Sequence, residues 1–368
     1  MRTTHSFLLA NSFEPLPIAD ESIQLILTSP PYPMVEMWDD IFSTYNRGIK
    51  TSIKKGEGDK AFDKMHKLLD DCWTECYRLL APGGFMAINI GNATRSLDGH
   101  FEMYSNHSRI MQSCKKIGLD ILPYIIWNKP TNSPTKFMGS GVLPAGAYIT
   151  LEHEYILVFR KAGKRIFSDK EKEIRRQSAF FWEERNQWFS DQWHDIRGTR
   201  QRLKDAANRD RSGAYPAELA KRLLLMYSMY GDTVLDPFSG TGTTSYTAMT
   251  YGRNSIYVDI DPDLRLSSLK ELSASDLVEV MNQDVLVRLK NHEDYVSQQQ
   301  NLFFKYRNDI INAPVKSNQE KLLQPFLIKG LTSTKDMIKV SYKPFKGCLL
   351  YTSPSPRDQR GSRMPSSA

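Results

Sequence analysis

The stretch "LILTSPPYP", residues 25–33, constrains this chain more than any other. An apolar strand that runs into two consecutive prolines cannot lengthen, because proline donates no ladder hydrogen bond and fixes its own φ. One proline is enough to stop a strand; Pro30 and Pro31 together also stiffen the backbone that follows. Ser29, Tyr32 and the carbonyls between them are therefore held nearly immobile at a strand end, as a site that grips something small requires. Far downstream a second strand, "TVLD", stops on Asp236 and runs directly into "PFSGTGTT". Gly240 and Gly242 in that turn let backbone approach a ligand closely before a helix begins. No lysine follows the second glycine, so the turn is not a phosphate loop, and the third glycine of the dinucleotide pattern is missing. An acid, an aromatic and two glycines suit a ligand with a positive centre and little phosphate. The next strand, "NSIYVDIDPD", brings Asp259 to its end, where a carboxylate can accept both hydroxyls of a ribose. Asp261 reads instead as the cap of a helix starting at Pro262.

Short apolar strands alternate with helical patterns through most of the remaining chain, which predicts an α/β doubly wound fold. A helix running to about Leu80 places Leu69, Cys72, Trp73, Cys76 and Leu80 on one face; "APGG" ends it and "FMAINI" follows as a strand. A helix over Ser108–Ile117 leads to "ILPYIIWNK", and Tyr155–Phe159 form one more strand. Pro216 opens a helix with Leu219, Leu223, Met226 and Tyr230 on one face and Gly231 as its stop. The polar stretch "NRGIKTSIKKGEGDK" reads as a mobile loop. Beyond about Leu289 the pattern weakens, and the last residues, "CLLYTSPSPRDQRGSRMPSSA", read as a disordered tail of non-native composition.

Between Lys161 and Arg211 the alternation breaks, and arginines and lysines interleave with tryptophans and phenylalanines. A net charge of +7 favours a polyanionic partner, and such an insert suits phosphate and base contacts. Trp182, Trp188 and Trp193 read as a local core, with room for one of them to touch a nucleic acid. Cys72, Cys76, Cys114 and Cys348 have no paired metal spacing, and such cysteine usage fits a reducing cytoplasm. His153 and Glu154 lack a second histidine four residues on; flanking a strand, they read as structural rather than as a metal pair or general base. No stretch approaches the ~20 apolar residues of a membrane span, and the N-terminal apolar run is too short for a signal peptide.

Taken together, "Thr28-Ser29-Pro30-Pro31-Tyr32" and "DPFSGTGTT" strongly resemble the S-adenosylmethionine-dependent amino-methyltransferases of DNA, over residues 5 to about 290. The target-amine motif precedes the cofactor loop, which resembles the permuted β arrangement of that family. "LEHEYILVFRK" and "SGAYPAELAKRLL" look like family segments flanking a recognition region. The resemblance implies a Rossmann-like methyltransferase sheet with an inserted DNA-recognition region. It divides the chain into a catalytic half (1–160), a target-recognition insert (161–211), a cofactor half (212–306), a C-terminal extension (307–347) and the tail (348–368).

It further implies that Ser29, Pro30, Pro31 and Tyr32 are catalytic. An exocyclic amine conjugated to its ring is a poor nucleophile. Acceptors such as the Ser29 hydroxyl and the Pro30 carbonyl would free its lone pair for in-line attack on the sulfonium methyl, with Tyr32 stacked on a flipped base. Asp236, Pro237, Phe238, Gly240, Gly242, Thr243 and Asp259 would hold S-adenosyl-L-methionine, with no metal. Asn11 stands where family members usually carry an acid, and would reach the cofactor's adenine. Lys54, Lys55, Arg197, Arg200 and Arg202 would bind double-stranded DNA. Serine at the head of the motif is commoner among cytosine-N4 enzymes and aspartate among adenine-N6 enzymes. "EERNQWFSDQW" followed by "GTRQ" looks like a subset of bacterial and archaeal cytosine-N4 enzymes. The implied function is site-specific methylation of cytosine N4 in a restriction-modification system, functionally paired with a cognate endonuclease in a bacterial or archaeal cytoplasm. Adenine N6 is the alternative. An RNA or protein-glutamine methyltransferase would usually begin the motif with asparagine and place the cofactor loop first. A non-catalytic DNA-binding descendant would have lost Ser29, Tyr32 or the glycine loop.

Overall fold

The computed structural model describes residues 1–129, 138–139, 142–197, 215–299 and 304–347. Strand β1 (Arg2–Leu9) is followed by β2 (Ile23–Thr28), then by helices α1 (Asp39–Tyr45), α2 (Arg47–Lys54) and α3 (Gly58–Leu79), which lead into β3 (Leu80–Ile90). A small hairpin over residues 93–104 and helix α4 (Asn106–Lys116) precede β4 (Leu119–Ile121), β5 (Ile125–Asn128) and β6 (His153–Lys161). Helices α5 (Asp169–Gln177) and α6 (Trp182–Trp188) bring the chain to a short β7 (Gln192–Trp193). The order then runs α7 (Ala217–Tyr227), β8 (Thr233–Asp236), α8 (Thr243–Thr250), β9 (Asn254–Asp259), α9 (Pro262–Leu272) and α10 (Leu277–Gln298). A final antiparallel pair, β10 (Phe326–Ser333) and β11 (Met337–Pro344), completes an 11-stranded sheet.

Across that sheet the order is β7-β5-β6-β3-β2-β8-β9-β1-β11-β10, with β4 also paired to β6. The centre, β3-β2-β8-β9-β1, is parallel; β6 and β11 run antiparallel on its flanks, and β10 pairs antiparallel with β11. The sheet is thus mixed and Rossmann-like, as expected. Its centre is buried on both sides, as parallel strands with crossover helices require. Ile26, Met86 and Ile88 face one core with Leu69, Trp73 and Cys76 of α3. Leu25, Leu27 and Ala87 face the other, with Leu219, Leu223 and Ala248. From β2 the chain moves on to β3 on one side, whereas from β8 it moves on to β9 on the other. The carboxyl ends of β2 and β8, paired side by side, therefore open a crevice at the point where the winding reverses.

Two sequence expectations are corrected, and one open region is resolved. The "NRGIKTSIKK" stretch is not a loop: Asn46 caps α2 by accepting from the Gly48 amide, and Ile49 and Ser52 are buried against α3. Helix α7 ends at Tyr227, before the predicted stop, and Tyr230 instead donates its hydroxyl to the Gln324 carbonyl at 2.9 Å. The weakly patterned region after Leu289 continues α10 to Gln298 and ends as the edge pair β10–β11, whose Ile338 and Val340 pack with Phe7 and Tyr257.

Within the Arg/Trp-rich region, two of the three tryptophans join the core. Trp188 and Trp193 are buried beside Trp127, whose indole N–H donates to the Ile196 carbonyl at 2.9 Å. Glu184 meets Arg288 of α10 at 2.6 Å, while Trp182 is 41% exposed. Arg200, Arg202 and Cys348 lie outside the described residues.

Candidate active site

Parallel pairing of Leu25 with Val234 and Ile26 with Leu235 places Thr28 beside Asp236 at the crevice. The Thr28 hydroxyl donates to Asp236 Oδ1 at 2.7 Å, tying the two strand ends together. Asp236 Oδ1 also accepts from the Phe238 amide at 3.1 Å. Its Oδ2 accepts from Thr244 at 2.6 Å and from the Tyr215 hydroxyl at 3.2 Å. Four donors thus surround a carboxylate only 3% exposed. Burial nevertheless wins over those hydrogen bonds and pushes its pKa up to about 6.

After Asp236 the chain turns through Gly240 (φ 51°) and Gly242 (φ 82°), both in the left-handed region that side chains disfavour. The Gly240 carbonyl is held by the hydroxyls of Tyr257 at 2.6 Å and Ser268 at 3.0 Å. Asp259 Oδ2 accepts from the Gly240 amide at 2.8 Å, and Oδ1 from the Asp261 amide at 2.9 Å. The carboxylate keeps capacity for a further donor, and burial raises its pKa above the ordinary value. Asp261 caps α9, accepting from the Asp263 and Leu264 amides.

On the other side of the crevice, Pro30 and Pro31 are buried and Ser29 and Tyr32 half-buried. Ser29 Oγ lies 3.2 Å from the Tyr32 hydroxyl. That hydroxyl donates to Glu154 Oε2 at 3.0 Å and accepts from Asn89 Nδ2 at 2.9 Å. Burial and the Glu154 charge hold the Tyr32 phenol well above its ordinary pKa, so it stays protonated. Lys129 Nζ pairs with Glu154 Oε1 at 2.7 Å. Gly91 is required beside this group: a Cβ there would stand 3.1 Å from Tyr32 Cε2 and 3.4 Å from Glu154 Cγ.

One cavity of about 240 Å³ joins the two halves; Ser29, Pro30, Pro31, Tyr32, Asp236, Pro237, Phe238, Gly240, Thr243 and Asp259 all line it. Gly242 is just behind it, at the start of α8. Asn11 lines the cavity too, but its side chain is engaged in its own turn, donating to Glu14 and accepting from the Phe13 amide. Phe13 stands 6.0 Å from Phe238 and edge-on to Tyr45, giving the cavity an aromatic wall that the motifs did not announce. Asn89 and Lys129 escape sequence reasoning for a related reason: both reach the site through strand neighbours rather than through a motif. Glu154, read as structural from the sequence, lines the cavity. Lys54 and Lys55 are exposed at the end of α2, and Arg197 is exposed just after β7; none of the three lines the cavity. Among the described residues no cluster of His, Cys, Asp and Glu could hold a metal, and no helix is long and apolar enough to cross a membrane.

Comparison with known proteins points in one direction. A family model described as DNA methylase, of the N6/N4 type, matches residues 23–268. The chain is 46% identical over 323 residues to the Type II methyltransferase M.MthZI of Methanothermobacter thermautotrophicus, covering 87% of this chain and 90% of the relative. It is 44% identical over 274 residues to the Type II methyltransferase M.MjaI of Methanocaldococcus jannaschii, covering 72% and 89%. Among solved structures, a Thermus thermophilus protein described as a putative DNA modification methylase complexed with S-adenosyl-L-methionine aligns with a TM-score of 0.57. The identity is 29%, over 73% of this chain and 93% of that one.

Proposed function

This chain belongs to the N6/N4 DNA methylase family, and from that premise we propose that it methylates the N4 amine of cytosine within a specific duplex DNA site. That it is a DNA methyltransferase using S-adenosyl-L-methionine follows from the family itself and its relatives. The observation that carries amine methylation is the shared cavity in which the Ser29–Tyr32 turn faces the Phe238–Asp259 side.

The residues fit that cofactor. Asp259 keeps acceptor capacity for a ribose, Phe13 and Phe238 offer an apolar wall, and the glycine loop brings backbone to the cavity. When bound, the cofactor supplies an electrophilic methyl on a sulfonium. Asp236, with both oxygens occupied, acts by fixing the loop and the β2 end relative to each other. Ser29 Oγ and the Pro30 carbonyl accept the hydrogens of the target amine, drawing its lone pair out of the ring for in-line attack. Tyr32, anchored at its hydroxyl, keeps its ring face against the flipped base.

Serine rather than aspartate at position 29 supports cytosine. The insert at 161–211 and the lysines of α2 would bind the duplex, and a cognate endonuclease would cut the same site when unmethylated. Incubating the protein with tritiated cofactor and DNA, then digesting to nucleosides, tests the reading. Label in N4-methylcytosine that disappears with Ser29→Ala supports it; label in N6-methyladenine replaces it with the adenine reading.

A further inference from the structure

The hydrogen-bond chain behind Tyr32 has a fixed direction, and the direction originates at Glu154. A carboxylate can only accept, and this one is 9% exposed with three donors on it: Lys129 on Oε1, and Tyr32 and Asn89 on Oε2. Since Tyr32 gives its one proton to Glu154, its oxygen is left to accept, and it accepts from Asn89 at 2.9 Å. The remaining neighbour, Ser29 Oγ at 3.2 Å, must then be the donor of its pair. A serine hydroxyl is otherwise indifferent, able to present either a proton or a lone pair to a ligand. Here its proton is committed inward, so lone pairs face the cavity. Asn89 reinforces the arrangement: its two amide N–H groups go to Tyr32 and Glu154, while its buried Oδ1 is left without a partner among the described residues.

Resting on the proposed amine methylation, we propose that Glu154 is the positioning residue that makes Ser29 an acceptor, and that it takes up the proton the amine must lose. As the N–CH3 bond forms and the S–CH3 bond breaks, the amine nitrogen acquires a positive charge and one hydrogen too many. That proton passes to Ser29 Oγ, the serine proton to the Tyr32 oxygen, and the tyrosine proton to Glu154 Oε2. The product amine is neutral, and the carboxyl returns its proton to solvent on the side of Lys129, whose side chain is 42% exposed.

A double-mutant cycle tests the claim by single-turnover methylation of DNA, with cofactor affinity measured by calorimetry. Glu154→Gln is expected to slow transfer by about 30-fold or more while cofactor affinity stays within about twofold. Tyr32→Phe cuts the link but keeps the ring, so adding Glu154→Gln to it should cost less than about threefold more. A residue that merely held the fold would instead impose its full penalty in both backgrounds. The proposal is overturned if Glu154→Gln keeps the wild-type rate, or if its penalty persists undiminished beside Tyr32→Phe. Should Glu154→Gln fail to fold, as judged by thermal melting, Tyr32→Phe alone decides: a wild-type rate there refutes the relay. A wild-type protein that labels no DNA at all refutes the amine-methylation reading, and the relay with it.

Discussion

Asp236 is buried among four donors and still has its pKa raised to about 6, so desolvation outweighs hydrogen bonding at this residue. An unfolded chain releases this proton near 3.9, whereas the folded chain holds it to about 6. Protonation therefore stabilises the fold below about pH 4, and that contribution is lost as pH rises through 6. The displacement corresponds to roughly 3 kcal/mol. Asp236→Asn cannot titrate, so the stability of wild type relative to this variant should fall by up to that amount between about pH 4 and 6.5, then stay level. Urea melts across that range measure it, and a pH-independent difference would show that the site is wetter than it looks. The partners that bury Asp236 also mark the limit of sequence reading at this scale. Ser29, Tyr32, Asp236 and Asp259 are legible because prolines and glycines punctuate the chain around them. Glu154 is in view as a strand-flanking acid, but what it touches depends on β6 lying between β3 and β5, which no local pattern encodes.

Glycine and strand chemistry decide the site at the level of elements. Gly242 precedes α8 with φ 82°, and a Cβ there would also press within 3.1 Å of Leu272 Cδ1. Gly242→Ala should cost about 1–2 kcal/mol from the left-handed backbone alone. Because the same turn aims the Gly240 amide at Asp259, cofactor affinity should fall by about tenfold or more. Gly330 in β10, with no positive φ and nothing within 4 Å of its ideal Cβ, is the control: alanine there should leave both thermal stability and calorimetric affinity unchanged. If the two substitutions behave alike, the turn geometry is not what holds the loop. Elements with strong periodicity, such as α3 and the apolar β2, are readable in advance. Helix α2 is not, because lysines and glycines outweigh its two buried positions, and only the Asn46 cap and the spacing of Ile49 and Ile53 betray it. Strand β11 hides likewise: Ile338, Val340 and Tyr342 alternate inward between polar residues, a pattern that matters only once β1 offers an edge.

At the scale of the whole molecule, the crevice between β2 and β8 is flanked by two segments that carry exposed basic side chains. Helix α2 begins two residues after Tyr45, which lines the cavity, and ends at exposed Lys54 and Lys55. In the other segment β7 adds to β5, whose succeeding Lys129 lines the same cavity, and exposed Arg197 follows. A duplex delivering a base into the cavity would meet both flanks, and a chain of net charge +7 would bind it largely through phosphates. Removing one phosphate partner lowers the slope of log K against log salt by about 0.9, so Lys54→Ala with Lys55→Ala should reduce it by about 1–2. Ser29→Ala should leave that slope unaltered, since on the proposed reading its hydroxyl meets a base and not the backbone. Fluorescence anisotropy over a salt series on a non-cognate duplex gives both numbers. A double variant with the wild-type slope would move the phosphate track off α2 and towards the β7 flank, where Arg197 stands beside the strand that carries Lys129 to the cavity.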